Sequence, residues 1–432
     1  MRKKRLGRIG VLSGGVIGVL LIVCAIYYMP RLSSMTYESF SDDHRMIENA
    51  DALDHIQNNF RKASHIETPD SVKAIYMTSW IAGTPSLRQS RVIDVLDTTE
   101  ANSVVIDIKD DTGKVSFITD DPLIEELGWS ENRVSDMEEL IKMLHDKGIY
   151  VIGRIAVFQD PYMAHKRPEL AVKFASATST VWQDRKGLSW LDASSKEYWD
   201  LIKRLSFASY RVGFDELNYD YIRFPTDGAV DDMYFPFSGE RLLTSSFSME
   251  RARIIREFWE FLDKDIRHGK DPLTGQKFEG KISADIFGMT TTAEDDMGIG
   301  QLLDYALPYF DYIAPMVYPS HFPNGYYGIQ NVNAVPGTVI SISMGEAVKR
   351  AEATSTIHLL PGESQIASST LFTKKFYDRN KLRPWLQDND YPVHYTAEMV
   401  RAQIDASEAL GLNSWMLWDP ANTYTVGALK HE

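Results

Sequence analysis

Gly213-Phe-Asp-Glu-Leu-Asn-Tyr-Asp-Tyr-Ile-Arg-Phe-Pro225 gathers three carboxylates and an arginine into one short, strand-like run. Taken with a period of two, Glu216, Asn218 and Asp220 share one face, and Asp215, Leu217, Tyr219 and Tyr221 share the other. A row of acidic and amide side chains along one strand face is costly to bury unless it meets partners or faces a polar cavity. The stretch therefore predicts a strand whose far end opens into a site.

Runs of the same kind recur on both sides of it. Val72 to Trp80, Ser103 to Lys109, Tyr150 to Phe158, Phe214 to Phe224, Lys281 to Phe287, Asp311 to Tyr318, Leu382 to Gln387 and Ser414 to Trp418 alternate with helix-like patterns. Strands alternating with helical crossovers predict a parallel sheet, and eight of them close a (β/α)₈ TIM barrel, here over residues 72–429. Ser135 with Glu138 and Ser194 with Glu197 read as capping boxes, and Gly148, Gly213, Gly269 and Gly411 fall where helices end. After Ser248, Ile254, Ile255, Phe258, Phe261 and Leu262 form an inward helical stripe. The surplus length lies in extended βα loops, Gln159 to Asp192, Thr226 to Phe247 and Ser320 to Gly337, all on the face where barrel enzymes carry their sites. The segment Thr356 to Lys381 fits no barrel element and admits a hairpin insertion before strand seven.

The 432 residues carry a formal net charge of −14, which disfavours nucleic acid as a partner of the folded part. The N-terminus inverts that balance. Arg2, Lys3, Lys4, Arg5 and Arg8 make a basic tail over 1–8, and residues 9–29 carry no charge. About 20 apolar residues suffice to cross a bilayer, and the basic flank keeps its side cytoplasmic. The expectation is a single-pass signal anchor in the cell membrane, a stalk over 30–71 and an extracellular barrel. A cleaved signal peptide fits less well, because Ala-Ile-Tyr-Tyr-Met offers no small-x-small site. A lipoprotein is disfavoured by Val23 before Cys24. That cysteine is the only one in the chain, so neither disulfides nor cysteine-built zinc sites are expected.

On the assumed interior faces, Asp220 and Asp285 end strands four and five. Glycoside hydrolysis asks for such a pair, one acid to protonate the leaving oxygen and one carboxylate to attack or to activate water. An ion-pair network is the alternative account of the same two residues. Below them, Asp107, Lys109, Arg154 and Glu216 are expected to form a charge network, with Arg154 beside Glu216 and Lys109 near both. Trp80, Tyr221, Tyr318, Trp385 and Trp418 lie near strand ends, where flat rings with polar handles suit sugars. Arg223 is expected to shape the rim, and His321 to donate to a sugar hydroxyl. Asp107-Ile-Lys-Asp-Asp-Thr-Gly113 lacks the spacing of a calcium loop; no metal or other cofactor is expected.

Phe-Asp-Glu-Leu-Asn-Tyr-Asp-Tyr-Ile-Arg-Phe-Pro, Ile-Asp-Ile-Lys-Asp-Asp-Thr-Gly, Ala-Asp-Ile-Phe-Gly, Ile-Gly-Gln, Asp-Tyr-Ile-Ala-Pro-Met-Val-Tyr-Pro-Ser-His-Phe, Arg-Pro-Trp-Leu-Gln-Asp and Trp-Met-Leu-Trp-Asp-Pro all occur in this chain. Together they resemble the bacterial putative glycoside hydrolase family first catalogued as a domain of unknown function. That resemblance implies a TIM barrel related to amylase-like glycosidases, with Asp220 as nucleophile and Asp285 as candidate acid/base. Amylase-type enzymes usually place a glutamate at strand five, so Asp285 departs from their pattern. The function expected is hydrolysis of a cell-surface or environmental polysaccharide. A non-catalytic carbohydrate-binding barrel and an envelope scaffold are the alternatives. Deacetylation is disfavoured by the lack of His-Asp metal clusters.

Overall fold

In the computed structural model, the opening stretch forms strand β4, Glu216–Asp220, which is buried at every position. Seven further strands join it: β1 Lys73–Met77, β2 Ser103–Lys109, β3 Tyr150–Ala156, β5 Lys281–Phe287, β6 Tyr312–Met316, β7 Trp385–Gln387 and β8 Trp415–Trp418. Each pairs in parallel with its sequence neighbours, and β8 returns to β1, so the sheet closes into an eight-stranded barrel. The structure describes residues 63–244, 249–359, 365–366 and 369–431. The anchor expected at 9–29 and most of the stalk lie outside them. Among the described residues no helix is long and apolar enough to cross a membrane.

The period of two in β4 sorts its side chains as expected. Leu217 and Tyr219 face the helical layer, where Tyr219 OH lies 2.8 Å from Ser206 Oγ. Around them α1 (Met137–Asp146), α2 (Lys196–Val212), α3 (Glu250–Phe261), α4 (Pro336–Glu352) and α5 (Ala397–Ala409) cover the sheet. The large hydrophobic core sits between sheet and helices, and a second, smaller cluster including Ala74, Tyr76, Tyr150, Ile152 and Trp385 fills the barrel itself. Helix α2 ends at Gly213 with φ of 123°, a conformation that side chains resist, and this lets β4 start at once.

Helix starts differ by one residue from the capping boxes. Ser195, not Ser194, caps α2 by accepting from Tyr198 N, and Asp136 rather than Ser135 precedes α1 without a side-chain cap bond. At the barrel's N-terminal end, Asp215 accepts from Val151 N and Ile66 N, both at 2.9 Å, and lies 2.9 Å from His145 Nε2. Burial opposes the charge there, but bonds from His145, His65 and Val151 hold Asp215 below the usual carboxylate range. The end of the expected stalk is therefore packed on the barrel, with His65 stacked on Tyr210 at 4.1 Å.

The long loops after β3 and β4 share one small antiparallel sheet, Lys173–Phe174 pairing with both Ala177–Val181 and Met233–Tyr234. Asp192 ties them by accepting from Phe237 N at 2.8 Å and Ser238 N at 3.0 Å. Within the segment that admitted a hairpin, Ser355–Thr356 pairs antiparallel with Phe372–Thr373.

Candidate active site

Register decides what meets above the barrel floor. Arg154 lies opposite Asn218 and beside Asp107, and Ala156 lies opposite Asp220. From that place Arg154 extends upward. Its Nε and Nη2 donate to Asp220 Oδ2 at 3.1 and 2.6 Å, and Nη1 donates to Asp107 Oδ1 at 2.7 Å. Tyr76 OH donates to the other oxygen of Asp107, and Asp220 Oδ1 accepts from Tyr221 N at 2.6 Å.

Asp285 stands across from this pair on β5. Its Oδ1 accepts from Asn218 Nδ2 at 2.9 Å and Trp385 Nε1 at 2.8 Å, while Oδ2 lies 3.9 Å from Arg154 Nε. Complete burial, and next the nearby charge of Asp220, raise the pKa of Asp285 well above the ordinary carboxyl value. The two aspartates thus differ in kind. Asp220 carries a two-pronged arginine ion pair, and Asp285 holds a proton to higher pH.

Both line a cavity of about 380 Å³ at the C-terminal mouth of the barrel, together with Arg154, Tyr221, Arg223, Tyr318, His321, Trp385 and Trp418. Tyr221 reaches it because φ of 52° turns the chain just after β4, swinging the ring off the outer face its strand period assigns it. Trp418 stacks on Tyr76 at 4.2 Å and meets Trp385 edge-on at 5.7 Å. Burial, then the charge of Asp285, raise the pKa of Tyr318 and keep it a hydrogen-bond donor. The Ile-Gly-Gln motif serves this wall: Gln301 accepts from Phe287 N at 2.9 Å and donates to Asp285 O at 3.2 Å. In Ala-Asp-Ile-Phe-Gly, a Cβ on Gly288 would stand 2.4 Å from Met316 O, so glycine lets the ends of β5 and β6 close together.

Four of the candidate site residues, Trp80 and the Asp107, Lys109 and Glu216 of the expected charge network, do not line the cavity. Trp80 follows a strand that ends at Met77, in a short helix capped by Thr78; it is 58% exposed and packs over Arg133 at 4.1 Å, outside the cavity. Lys109 is not beside Arg154 and Glu216. A register shift between Asp107 and Lys109 sends its ammonium out of the interior to Asp160, 3.0 Å away, with neither side chain exposed. Glu216 lies below the cavity, where its cation is Arg383, donating to both carboxylate oxygens at 2.9 and 3.1 Å, and not Arg154. Asp107 is likewise sealed beneath the site and braces Arg154.

Arg383 and Tyr76 are the participants that strand adjacency missed. Arg383 stands in the quoted Arg-Pro-Trp-Leu-Gln-Asp motif, and Tyr76 is the last inward residue of β1, so period two marks it once the strand's true end is known. Among the described residues no cluster of three or more His, Cys, Asp or Glu side chains could hold a metal ion.

These features belong to a carboxylate-based barrel of the glycosidase kind. Residues 74–424 match the family described as Putative glycosyl hydrolase domain, and the chain belongs to that family. A hypothetical protein from Ruminiclostridium thermocellum is 32% identical, covering 49% of this chain and 96% of its own, with a TM-score of 0.40. The PgaB (BpsB) glycoside hydrolase domain from Bordetella bronchiseptica shares the fold at 12% identity, covering 82% of this chain and 95% of its own, with a TM-score of 0.54. The alpha-galactosidase TtGalA from Thermus thermophilus aligns at 13% identity over 84% of this chain and 64% of its own, with a TM-score of 0.42. No curated protein sequence matches the chain.

Proposed function

We propose that this protein hydrolyses glycosidic bonds of a cell-surface or environmental polysaccharide, with Asp220 as nucleophile and Asp285 as general acid and then base. The observation that carries the reading is the unequal pair in one cavity: Asp220 bound twice by Arg154, Asp285 buried with a raised pKa. Acid and nucleophile roles require two carboxyl groups in unlike surroundings.

In this scheme an Asp220 oxygen attacks the anomeric carbon as the glycosidic C–O bond breaks. The Asp285 proton passes to the leaving oxygen. Water then attacks the glycosyl ester and returns its proton to Asp285, freeing Asp220. Retention is favoured by spacing. Oδ2 of Asp220 and Oδ2 of Asp285 lie 3.1 and 3.9 Å from the same Arg154 nitrogen, so the sum of these distances bounds their separation. That bound only just enters the inverting range of about 6.5–9.5 Å, whereas retaining pairs sit at about 5–5.5 Å.

The basic tail and uncharged run at residues 1–29 support an anchored, extracellular placement. The test of the site is reducing-end release from cell-wall and exopolysaccharide glycans. Asp220→Asn and Asp285→Asn are each expected to lower kcat at least about a hundredfold, the lower end of the usual general acid–base contribution. Unchanged rates would remove the assignment, and sugar binding without turnover on any glycan would favour a non-catalytic carbohydrate-binding barrel.

A further inference from the structure

The cavity holds a cation that the hydrolytic scheme does not use. Arg223 lies three residues beyond Asp220, is buried, and lines the cavity. Its guanidinium sits among three rings, 4.9 Å from Trp190, 5.2 Å from Tyr221 and 4.7 Å from Phe287. One nitrogen, Nη1, donates to Phe224 O at 2.9 Å. Among the described residues no carboxylate comes within ion-pair distance of it, although burial lowers its pKa and so works against the charge.

The acidic groups around it are committed elsewhere. Asp220 belongs to Arg154. Asp184 spends Oδ2 on Gln159 Nε2 at 3.1 Å and Trp190 Nε1 at 3.2 Å, and Oδ1 on the backbone N–H groups of Lys186 and Leu188 at 2.9 Å. Asp220, Asp227 and Asp184 act on Arg223 only at longer range. A second cation, the exposed Lys186, borders the same cavity from the loop after β3. In a chain of net charge −14, a buried arginine on a cavity with no carboxylate at ion-pair distance stands apart from the general surface. Buried charges are normally paired, so the missing close partner of Arg223 points to the ligand.

We propose that the cavity takes an acidic sugar, a hexuronic acid unit, whose carboxylate is held by the Arg223 fork with Lys186 beside it. A guanidinium presents parallel N–H groups that match a planar carboxylate, and the rings around it limit its freedom before binding. The inference rests on the glycoside hydrolase reading for the identity of the ligand as a sugar. It does not depend on turnover.

The test is equilibrium binding to the full chain, followed by tryptophan fluorescence, since Trp385 and Trp418 line the cavity and Trp190 packs on Arg223. The probes are tri-galacturonate and tri-glucuronate against the corresponding neutral trisaccharides. Charge-assisted hydrogen bonds are strong enough to make the uronates bind roughly ten- to a hundredfold tighter, with the gap narrowing as salt is raised. Arg223→Gln is expected to abolish the gap. Arg223→Lys, which keeps the charge but loses the fork, should retain only part of it and guards against a Gln variant that folds poorly. Neutral sugars binding as tightly, a gap untouched by both variants, or no binding of any probe would each overturn the proposal. Uronate-selective binding without hydrolysis would sink the hydrolase reading alone; hydrolysis of neutral glycans with no uronate preference would sink this one alone.

Discussion

Replacing Trp385 with phenylalanine removes one hydrogen bond from Asp285 and keeps an aromatic ring in the barrel interior. The indole N–H donates to Asp285 Oδ1 at 2.8 Å, alongside Asn218 Nδ2 at 2.9 Å. Both bonds favour the ionised carboxylate, so they oppose the burial and the Asp220 charge that raise its pKa. A hydrogen bond to a charged group contributes about 1.5–3 kcal/mol, and one pKa unit corresponds to about 1.36 kcal/mol. Losing one donor should therefore raise the Asp285 pKa further, by roughly one to two units. A general acid that keeps its proton longer moves the basic limb of the pH–kcat/KM profile upward by that amount. The assay is reducing-end release across pH on a glycan that the unaltered protein cleaves. A basic limb that stays put, or moves to lower pH, refutes the role of Asp285 as the acid.

Arg154→Lys leaves one point charge where a fork spans Asp107 and Asp220; kcat is expected to fall at least about tenfold, since a single ammonium cannot reproduce the two-pronged grip on Asp220, and an unchanged kcat would argue against that grip. Lys109→Met strands Asp160 in a fully buried site, an expected loss of about 3–5 kcal/mol in urea unfolding, and replacing Asp160 as well should recover much of it. Asp388 sits near the end of β7 with Oδ1 unpartnered, and burial first of all raises its pKa from 3.8 to about 6. Its stabilising contribution is full below the unfolded pKa and is lost as pH rises through about 6, so Asp388→Asn should be more stable than the unaltered protein at pH 8 by up to about 3 kcal/mol, with little difference at pH 4; an equal or lower stability at pH 8 would refute this.

What was legible in the sequence depended on local period. In β4 an alternation of two separates Glu216, Asn218 and Asp220 from Leu217 and Tyr219, and the barrel keeps that separation. The same rule sets Asp285 level with Asp220, because neighbouring parallel strands hold residues at matched heights, whereas it sets Arg154 below a cavity that the arginine in fact lines. Where the period breaks, the inference breaks with it. The register shift after Asp107 leaves no composition signal, yet it sends Lys109 out of the interior. Trp80 does not end the strand, because β1 stops at Met77 and gives way to a helix capped by Thr78, and a side chain on that helix no longer follows the strand's alternation.

The pairing of Glu216 exposes a different limit. Adjacency along the sheet suggests Arg154, but a closed barrel also sets strands face to face across its interior, and Arg383 reaches Glu216 from just before β7. This exchange matters for the chemistry. With Glu216 neutralised by Arg383, Arg154 is left for the carboxylates above it, and its single charge already serves Asp107 and Asp220. A third ionised carboxylate at 3.9 Å would leave negative charge uncompensated in a buried site, which is costly. Burial, and next the charge of Asp220, accordingly raise the pKa of Asp285, which Asn218 from β4 itself holds in place. The acidic face of β4 therefore works by depth. Glu216 takes one arginine out of competition, Asn218 positions Asp285, and Asp220 receives the other arginine. The raised pKa of Asp285 follows from its burial and from how two cations are divided among four carboxylates.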